Sequence, residues 1–393
     1  MGNSRRATIA DVAVASGVGV GTVSRVINGA ANVRDATRAH VLKVIDQLGY
    51  RPSHLAAALS RGTQRTVAIV VPHLTRPSAV ERLAGALAVL DAEGYDTVVC
   101  NVDSPAQRDH FLASLTSKDR TDGVIIVSLP ISRDQLAAVR RAGVPLVTVD
   151  VTAPGVPHTV IDDTAGGRLA VDHLLSLGHQ RIGFVGDLVR RKTASTLGFT
   201  ASERRLTGYR QALLGAGLAR SEGLVRLGPY GPANAEALTA ALLKLPDPPT
   251  AIFASSDTQA MGVLAAADRA GLRVPGELSV VGFDDIELAA LIGLTTVRQP
   301  LEQSGVESAR RLSALLRGEQ VRPLRQVLDV RLVRRETTAP PWSAGQASSG
   351  RGAVREAAAA AERHYHTDAW RSWRAGRLAG VPHAGRAGLG NSS

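Results

Sequence analysis

From Thr66 to about residue 330 one pattern repeats: a short β-branched run, then an amphipathic stretch with helical spacing. The β-rich runs are Thr66–Val71, Thr97–Cys100, Gly123–Val127, Pro145–Val149, Arg181–Val185, Ala251–Ala254 and Leu278–Phe283. Of the helical stretches the clearest places Val80, Leu83, Ala84, Leu87 and Leu90 on one face, with Gly94 closing it. Further helices are expected at Gln135–Ala142, Gly166–Leu177, Leu206–Ala216, Ala235–Leu245, Gln259–Ala270 and Val306–Leu316. Strands that alternate with helices pair in parallel, with helices on both faces of the sheet. Roughly 270 residues of this pattern exceed one ordinary core, so two α/β lobes are expected.

The first 50 residues contain no strand-like run. Thr8-Ile9-Ala10-Asp11 has the form of a capping box, Thr8 as N-cap and Asp11 as its short N3 partner. A first helix through Ala15 would turn Ile9, Val12 and Ala13 inward. Ser16-Gly17-Val18 makes a tight corner, and Gly17 permits the positive φ it needs. A second helix, Val20–Asn28, packs back through Val23 and Val26 or Ile27. Val20, Gly21, Thr22, Ser24, Arg25 and Asn28 then face outward. A third helix, Asp35–Leu48, brings Val41, Val44, Ile45 and Leu48 to the core. This is helix-turn-helix geometry, in which Arg25 suits guanine and the small polar side chains suit phosphates or base edges.

The same periodicity would serve a small helical module that binds protein, and charge argues against that. The chain carries +11 overall, and residues 1–65 hold nine Lys or Arg against three Asp. Residues 340–393 hold seven Arg against three acids, which leaves the middle nearly neutral. A basic small end on a neutral body points to a polyanion partner. Cys100 is the sole cysteine, which excludes a disulfide framework and a cysteine-ligated zinc site. Its apolar strand setting marks it as a small buried hydrophobe. No apolar stretch follows the first six residues, and no run reaches membrane-spanning length, so a cytoplasmic protein is expected. No catalytic triad, metal set or phosphate loop stands out. Gly17-Val18-Gly19-Val20-Gly21 follows no strand and is not a nucleotide loop. No enzyme activity and no cofactor are expected.

Three runs fix a resemblance: Thr8-Ile9-Ala10-Asp11-Val12-Ala13, Ser16-Gly17-Val18 and Thr22-Val23-Ser24-Arg25-Val26-Ile27-Asn28. With Thr37-Arg38, Val41 and Leu48-Gly49-Tyr50-Arg51-Pro52 in register, they closely resemble the N-terminal signature of the lactose/galactose repressor (LacI/GalR) family. The likeness extends to about residue 339. It implies an all-α helix-turn-helix head on a two-lobed α/β body of the type I periplasmic-binding-protein kind. It also implies a homodimer on a pseudo-palindromic double-stranded operator, controlled by a small effector: a sugar by default, with a nucleoside or a phosphorylated ligand as the open alternatives. Recognition positions fall on Val20, Gly21 and Arg25, while Thr8, Ile9, Thr37 and Tyr50 join the DNA contacts. Gly21 has no side chain and Val20 cannot hydrogen-bond, so direct readout leans on Arg25.

Pro52–Arg61 reads as a short helix with Ser53 as N-cap, too short to be stable alone. The resemblance makes it a hinge helix that folds on the operator, with Ser53 and Ala56 at the DNA and Leu59 wedged into the minor groove. The alternative is a plain linker with Leu59 packed on the body. Leu59→Ala is therefore expected to weaken specific operator binding far more than binding to random DNA.

In parallel sheets ligands sit beyond the carboxyl ends of strands. Asp150, Asp257 and Asp284 stand at such ends, and ionised carboxylates accept hydrogen bonds from hydroxyls. Asp257 also precedes a helix and serves equally as its cap. The resemblance adds Arg205, the aromatic Tyr230 and Gln299 as effector contacts. Residues 73–79 lack the family's usual aromatic after the proline, and Ser256 stands in place of its usual Asn. The loop Asp187–Ser202 is long and basic at Arg190-Arg191-Lys192 and reads as a floppy insert, the alternative being a contributor to an anionic effector's site. The expected domains are 1–50 for DNA, 51–65 as hinge, 66–339 for effector binding and dimerisation, and 340–393 as a disordered basic tail. A solute-binding protein with the same body is the rival reading; the basic head and the missing signal sequence oppose it.

Overall fold

The computed structural model describes residues 7–27, 30, 32–50, 64–114, 121–187, 197, 199–218 and 222–342. The expected hinge helix, most of the 187–202 loop and nearly all of the tail lie outside these residues. Every element below falls in the compact unit that ends at Pro341.

Three helices form the head: α1 (Ile9–Ser16), α2 (Val20–Ile27) and α3 (Asp35–Gln47). Their apolar stripes meet at Val12, Val23 and Val41, which exclude solvent completely. The α1–α2 corner is made by Gly17 at φ +65°, whose N–H returns to the last turn of α1. Leu48 departs from expectation. It caps α3 with 40% of its surface exposed, because the helix ends one residue earlier. Gly49 then turns at φ +56° and sends Tyr50 into the core in its place.

The body opens with β1 (Thr66–Pro72), α4 (Pro77–Ala92), β2 (Asp96–Val102), α5 (Pro105–Ser114) and β3 (Gly123–Val127). It continues with α6 (Arg133–Ala142), β4 (Leu146–Val149) and β5 (His158–Ile161). The second lobe runs α7 (Asp163–Ser176), β6 (Ile182–Asp187), α8 (Ala201–Gly215), β7 (Val225–Gly228), α9 (Pro232–Leu243) and β8 (Ala251–Ala254). It ends with α10 (Asp257–Arg269), β9 (Ser279–Asp284), α11 (Glu287–Leu291) and β10 (Thr296–Arg298). The chain then returns to the first lobe as α12 (Leu301–Leu316) and β11 (Arg325–Leu328), and crosses back as β12 (Arg331–Val333).

Each lobe holds a six-stranded sheet, ordered β11-β5-β4-β3-β1-β2 and β12-β10-β9-β8-β6-β7. All pairings are parallel except that of β10 with β12. The strands are near-continuous Val, Ile and Ala runs because helices cover both faces. The chain therefore crosses between lobes after β5, after β10 and between β11 and β12.

Where α4 crosses α12 the two backbones touch. A Cβ on Gly305 would overlap the Arg82 carbonyl oxygen, and one on Gly85 would overlap the Glu302 carbonyl. Neither neighbour is a flexible side-chain end, so nothing yields cheaply. Gly305→Val is expected to destabilise the protein by about 3 kcal/mol, read as a lower urea midpoint. An unchanged midpoint would mean the helices stand farther apart.

Candidate functional site

In the head, the predicted capping box forms: the Thr8 N–H donates to Asp11 Oδ2 at 2.7 Å, and the Asp11 N–H donates to Thr8 Oγ1 at 3.3 Å. α2 turns Val23 and Val26 inward and leaves Val20, Gly21 and Arg25 exposed, with Thr22 and Ser24 at its flanks. Arg25 Nε donates to the Gly21 carbonyl at 3.1 Å, which draws the guanidinium along the helix surface. Thr37, in the first turn of α3, is partly exposed. Two expected DNA contacts also belong to the core of the head. Tyr50 keeps only 9% of its surface and its ring packs in the core, while Ile9 leans on the same core. Tyr50 is fixed by that packing, while Ile9 keeps part of its surface exposed. Asn28, Ser53, Ala56 and Leu59 lie outside the described residues.

In the body, the structure draws four of the six expected effector residues into one network, joined by an arginine. Asp150 ends β4 at φ +62°, Asp284 ends β9 at φ +121°, and Gln299 sits on the second crossover. Arg82 reaches out from α4, and its Nη2 lies 2.9 Å from Asp150 Oδ2 and donates to Gln299 Oε1 at 3.0 Å. The Gln299 amide donates in turn to Asp284 Oδ1. Arg205, from α8, lies 3.5 Å from that same Asp284 oxygen, donates to Asp163 Oδ1 at 2.9 Å and to the Ser255 carbonyl at 2.6 Å. It also lies over the Phe283 ring, 3.6 Å from the centroid. The chain Asp150–Arg82–Gln299–Asp284–Arg205–Asp163 therefore runs from the first lobe, across the crossover, into the second.

Burial dominates the titration of these groups. It pushes the Asp163, Asp187 and Asp284 carboxyls up, and the nearby guanidiniums pull each part of the way back. Burial works against the Arg205 cation too, but Asp163 and Asp284 more than compensate and raise it.

Tyr230 is half-buried, and its ring face is already covered. Arg76, the N-cap of α4 in the first lobe, lies 3.8 Å from the Tyr230 centroid and 5.4 Å from that of Phe199. Beside it Asp187, at the end of β6, accepts from Gln259 Nε2 at 3.0 Å.

Asp257 is the clearest correction. It does not cap α10. Ser256 is the N-cap, its hydroxyl accepting from the Gln259 N–H. Asp257 is fully buried and its oxygens accept from the Ile286 N–H at 2.9 Å and the Thr296 hydroxyl at 2.5 Å, tying the start of α11 and β10 to α10. Burial, then the Asp284 charge, hold its carboxyl well above the usual range. The folded protein thus keeps a proton there that the unfolded chain releases, so this residue contributes stability as pH falls from neutral toward the carboxylate range. Asp257→Asn should shrink the gain in urea midpoint between about pH 7 and about pH 5.5. An identical gain would show that Asp257 titrates normally.

Sequence reasoning missed Arg76, Arg82, Asp163, Asp187 and Gln259. Arg82 carried the one usable signal, a cation on the otherwise apolar face of an amphipathic helix. Among the described residues no group of His, Cys, Asp and Glu is arranged to hold a metal ion, and no single helix is long and apolar enough to cross a membrane.

With this geometry in place, comparison with known proteins is informative. The family model described as bacterial regulatory proteins, lacI family, matches residues 8–53, and a periplasmic binding protein-like domain matches residues 171–338. The HTH-type transcriptional regulator DegA of Bacillus subtilis (strain 168) is 33% identical over 343 residues, 85% of this chain and 99% of the relative. The HTH-type transcriptional regulator CelR of Thermobifida fusca is 34% identical over 348 residues, 86% of this chain and 100% of its own length. Among solved structures, a CelR–cellobiose complex matches 84% of this chain and all of its own at TM-score 0.62 and 33% identity. A lac repressor dimer bound to operator and the anti-inducer ONPF matches 85% of this chain and all of its own at TM-score 0.73 and 28% identity.

Proposed function

This chain belongs to the LacI family of bacterial regulatory proteins and is a DNA-binding transcriptional regulator; we propose that it works as a cytoplasmic homodimeric repressor whose operator affinity is set by a small polyol between its two α/β lobes. The observation that carries the effector half is the network from Asp150 through Arg82, Gln299 and Asp284 to Arg205. It crosses from one lobe to the other, so a ligand that exchanges hydrogen bonds with it biases how the lobes sit. A ligand shifts such an equilibrium only by its differential affinity for the two arrangements. The lobe arrangement sets the spacing of the paired residue 51–65 segments, and through them the grip of both heads on a two-fold site.

Arg25 carries direct base readout, with Thr22, Ser24 and Thr8 on phosphates and Val20 against a thymine methyl. Leu59 acts at the operator centre. In the cleft, Asp150, Asp284 and Gln299 orient ligand hydroxyls and Arg205 fixes the carboxylates that receive them. CelR, 33% identical, is seen with cellobiose and the lac repressor with an operator, which is the pairing of ligands proposed here.

The test is a gel shift of the full-length protein on DNA from upstream of its own gene, with and without sugars that raise its melting temperature. Specific retention modulated by a ligand is expected. Retention that no stabilising ligand alters would overturn the effector half.

A further inference from the structure

The first lobe brings two arginines, Arg76 and Arg82, to the residues that join the lobes. Arg76 and Arg82 come from the N-cap and second turn of the same sixteen-residue helix, α4. Both act on the Asp284 carboxylate through space, together with Arg205. Arg205 meets that acid directly and Arg82 meets it through Gln299.

The cleft's carboxylates are largely committed. Asp150 accepts from the Ser128 hydroxyl at 2.7 Å and pairs with Arg82. Asp163 and Asp284 share Arg205, and Asp187 holds the Gln259 amide. The cations keep unmet needs. Arg82 is 93% buried by its 7% exposure, yet its Nε has no hydrogen-bond partner. Arg76 feels Asp187 and Asp284 at a distance, but no ion pair joins it to any described carboxylate, and it rests on the Tyr230 and Phe199 faces instead. Burial is accordingly the larger influence on Arg76 and lowers its pKa, the mark of a desolvated cation without a contacting anion. An orphaned donor on a buried guanidinium costs more than a neutral one.

We propose that Arg76 and Arg82 form an anion subsite in the effector cleft, and that the effector is a polyol bearing an acid group, a carboxylate or a phosphate. The inference rests on the effector reading above and names the ligand's chemistry. The acid displaces Arg76 from Tyr230 or joins it there, receives charge-assisted hydrogen bonds, and leaves the Tyr230 face to the ligand's carbon skeleton. The hydroxyls go to Asp284, Asp150 and Gln299.

Isothermal titration of the full-length protein with matched probes tests this: glucose, gluconate, glucuronate and glucose 6-phosphate, then the corresponding galactose series. An acidic member should bind on the order of tenfold or more tighter than its neutral parent. The carboxylate and phosphate arms tell the two sources apart. Arg76→Gln should erase that preference, read as the ratio of acidic to neutral affinity in each matched pair rather than as either affinity alone. Arg82→Met, checked by its melting curve, should weaken acid binding in the same direction. Equal or tighter binding of the neutral parents, no binding of any acidic probe, or a preference that survives Arg76→Gln overturns the subsite. A neutral sugar that binds and alters operator retention would overturn it while leaving the repressor reading in place.

Discussion

Arg25→Ala should weaken specific operator binding on the order of 10²- to 10⁴-fold, with a much smaller loss on random DNA. A bidentate base contact contributes about 1–3 kcal/mol of discrimination, and a dimer makes the contact twice, for roughly 2–6 kcal/mol in all. The neighbouring side chains offer little to replace it. Gly21 presents no side chain and Val20, 47% exposed, presents only methyls. Before binding, Arg25 is held by the Gly21 carbonyl one turn back, a surface hydrogen bond that water or a base edge replaces at little cost. Competition gel shifts with specific and scrambled duplexes measure both losses. The salt dependence separates the roles: loss of a base contact relaxes specificity, whereas loss of a phosphate contact from both heads weakens all sequences alike and reduces the salt slope by about two units. Equal losses on both duplexes would reassign Arg25 to the backbone and move specificity to dimer spacing.

How much of this was readable beforehand follows from where each signal resides. The head was readable nearly residue by residue, since a capping box, a corner glycine and helical stripes are local. The miss there, Leu48 for Tyr50, turns on a single left-handed residue, Gly49. In the body, the long central strands and their helices stood within a few residues of expectation because burial on both faces makes them continuous apolar runs. Short strands stood out only where every residue is apolar, as in Ala251–Ala254; His158–Ile161, Val225–Gly228 and Thr296–Arg298 each carry a His, Arg or Thr that interrupts so short a run. Arg325–Leu328 and Arg331–Val333 lie at sheet edges, where exposed arginines replace apolar alternation. In the cleft, Asp150, Asp284, Arg205 and Gln299 were legible as residues but not as a circuit. Arg82 meets Gln299 across 217 positions of sequence, and Arg205 meets Asp163 across 42, so no local pattern announces either pair. The buried hydrogen bonds of Asp257 were unreadable for a related reason: a carboxylate ahead of a helix looks the same whether it caps, binds ligand or joins distant segments.

The cleft arginine with the largest expected effect is Arg205. Arg205→Leu should destabilise the protein by about 3–5 kcal/mol, because it strands two buried carboxylates at once. Asp163 and Asp284 would lose the cation that now draws them back toward their usual range, and the Ser255 carbonyl would lose its donor. The placement is built in. A Cβ on Gly167 would overlap the Arg205 carbonyl and one on Gly208 would overlap that of Thr164, so α7 and α8 touch backbone to backbone and hold Arg205 against Asp163. Arg205→Lys is not a remedy, since one ammonium cannot reproduce the fork that reaches two acids and a carbonyl. The pH dependence gives the decisive reading. With Arg205 gone, both carboxyls rise further, so the folded variant holds more protons than its unfolded chain and gains more stability on acidification than the parent does. Adding Asp163→Asn should recover part of the loss at neutral pH and flatten that gain. The variants should also lose the effect of any ligand on operator retention, while the head still binds DNA. Were Arg205→Leu to melt like the parent with an unchanged pH profile, the carboxylates would have to be neutral already, and Arg205 would serve the ligand alone.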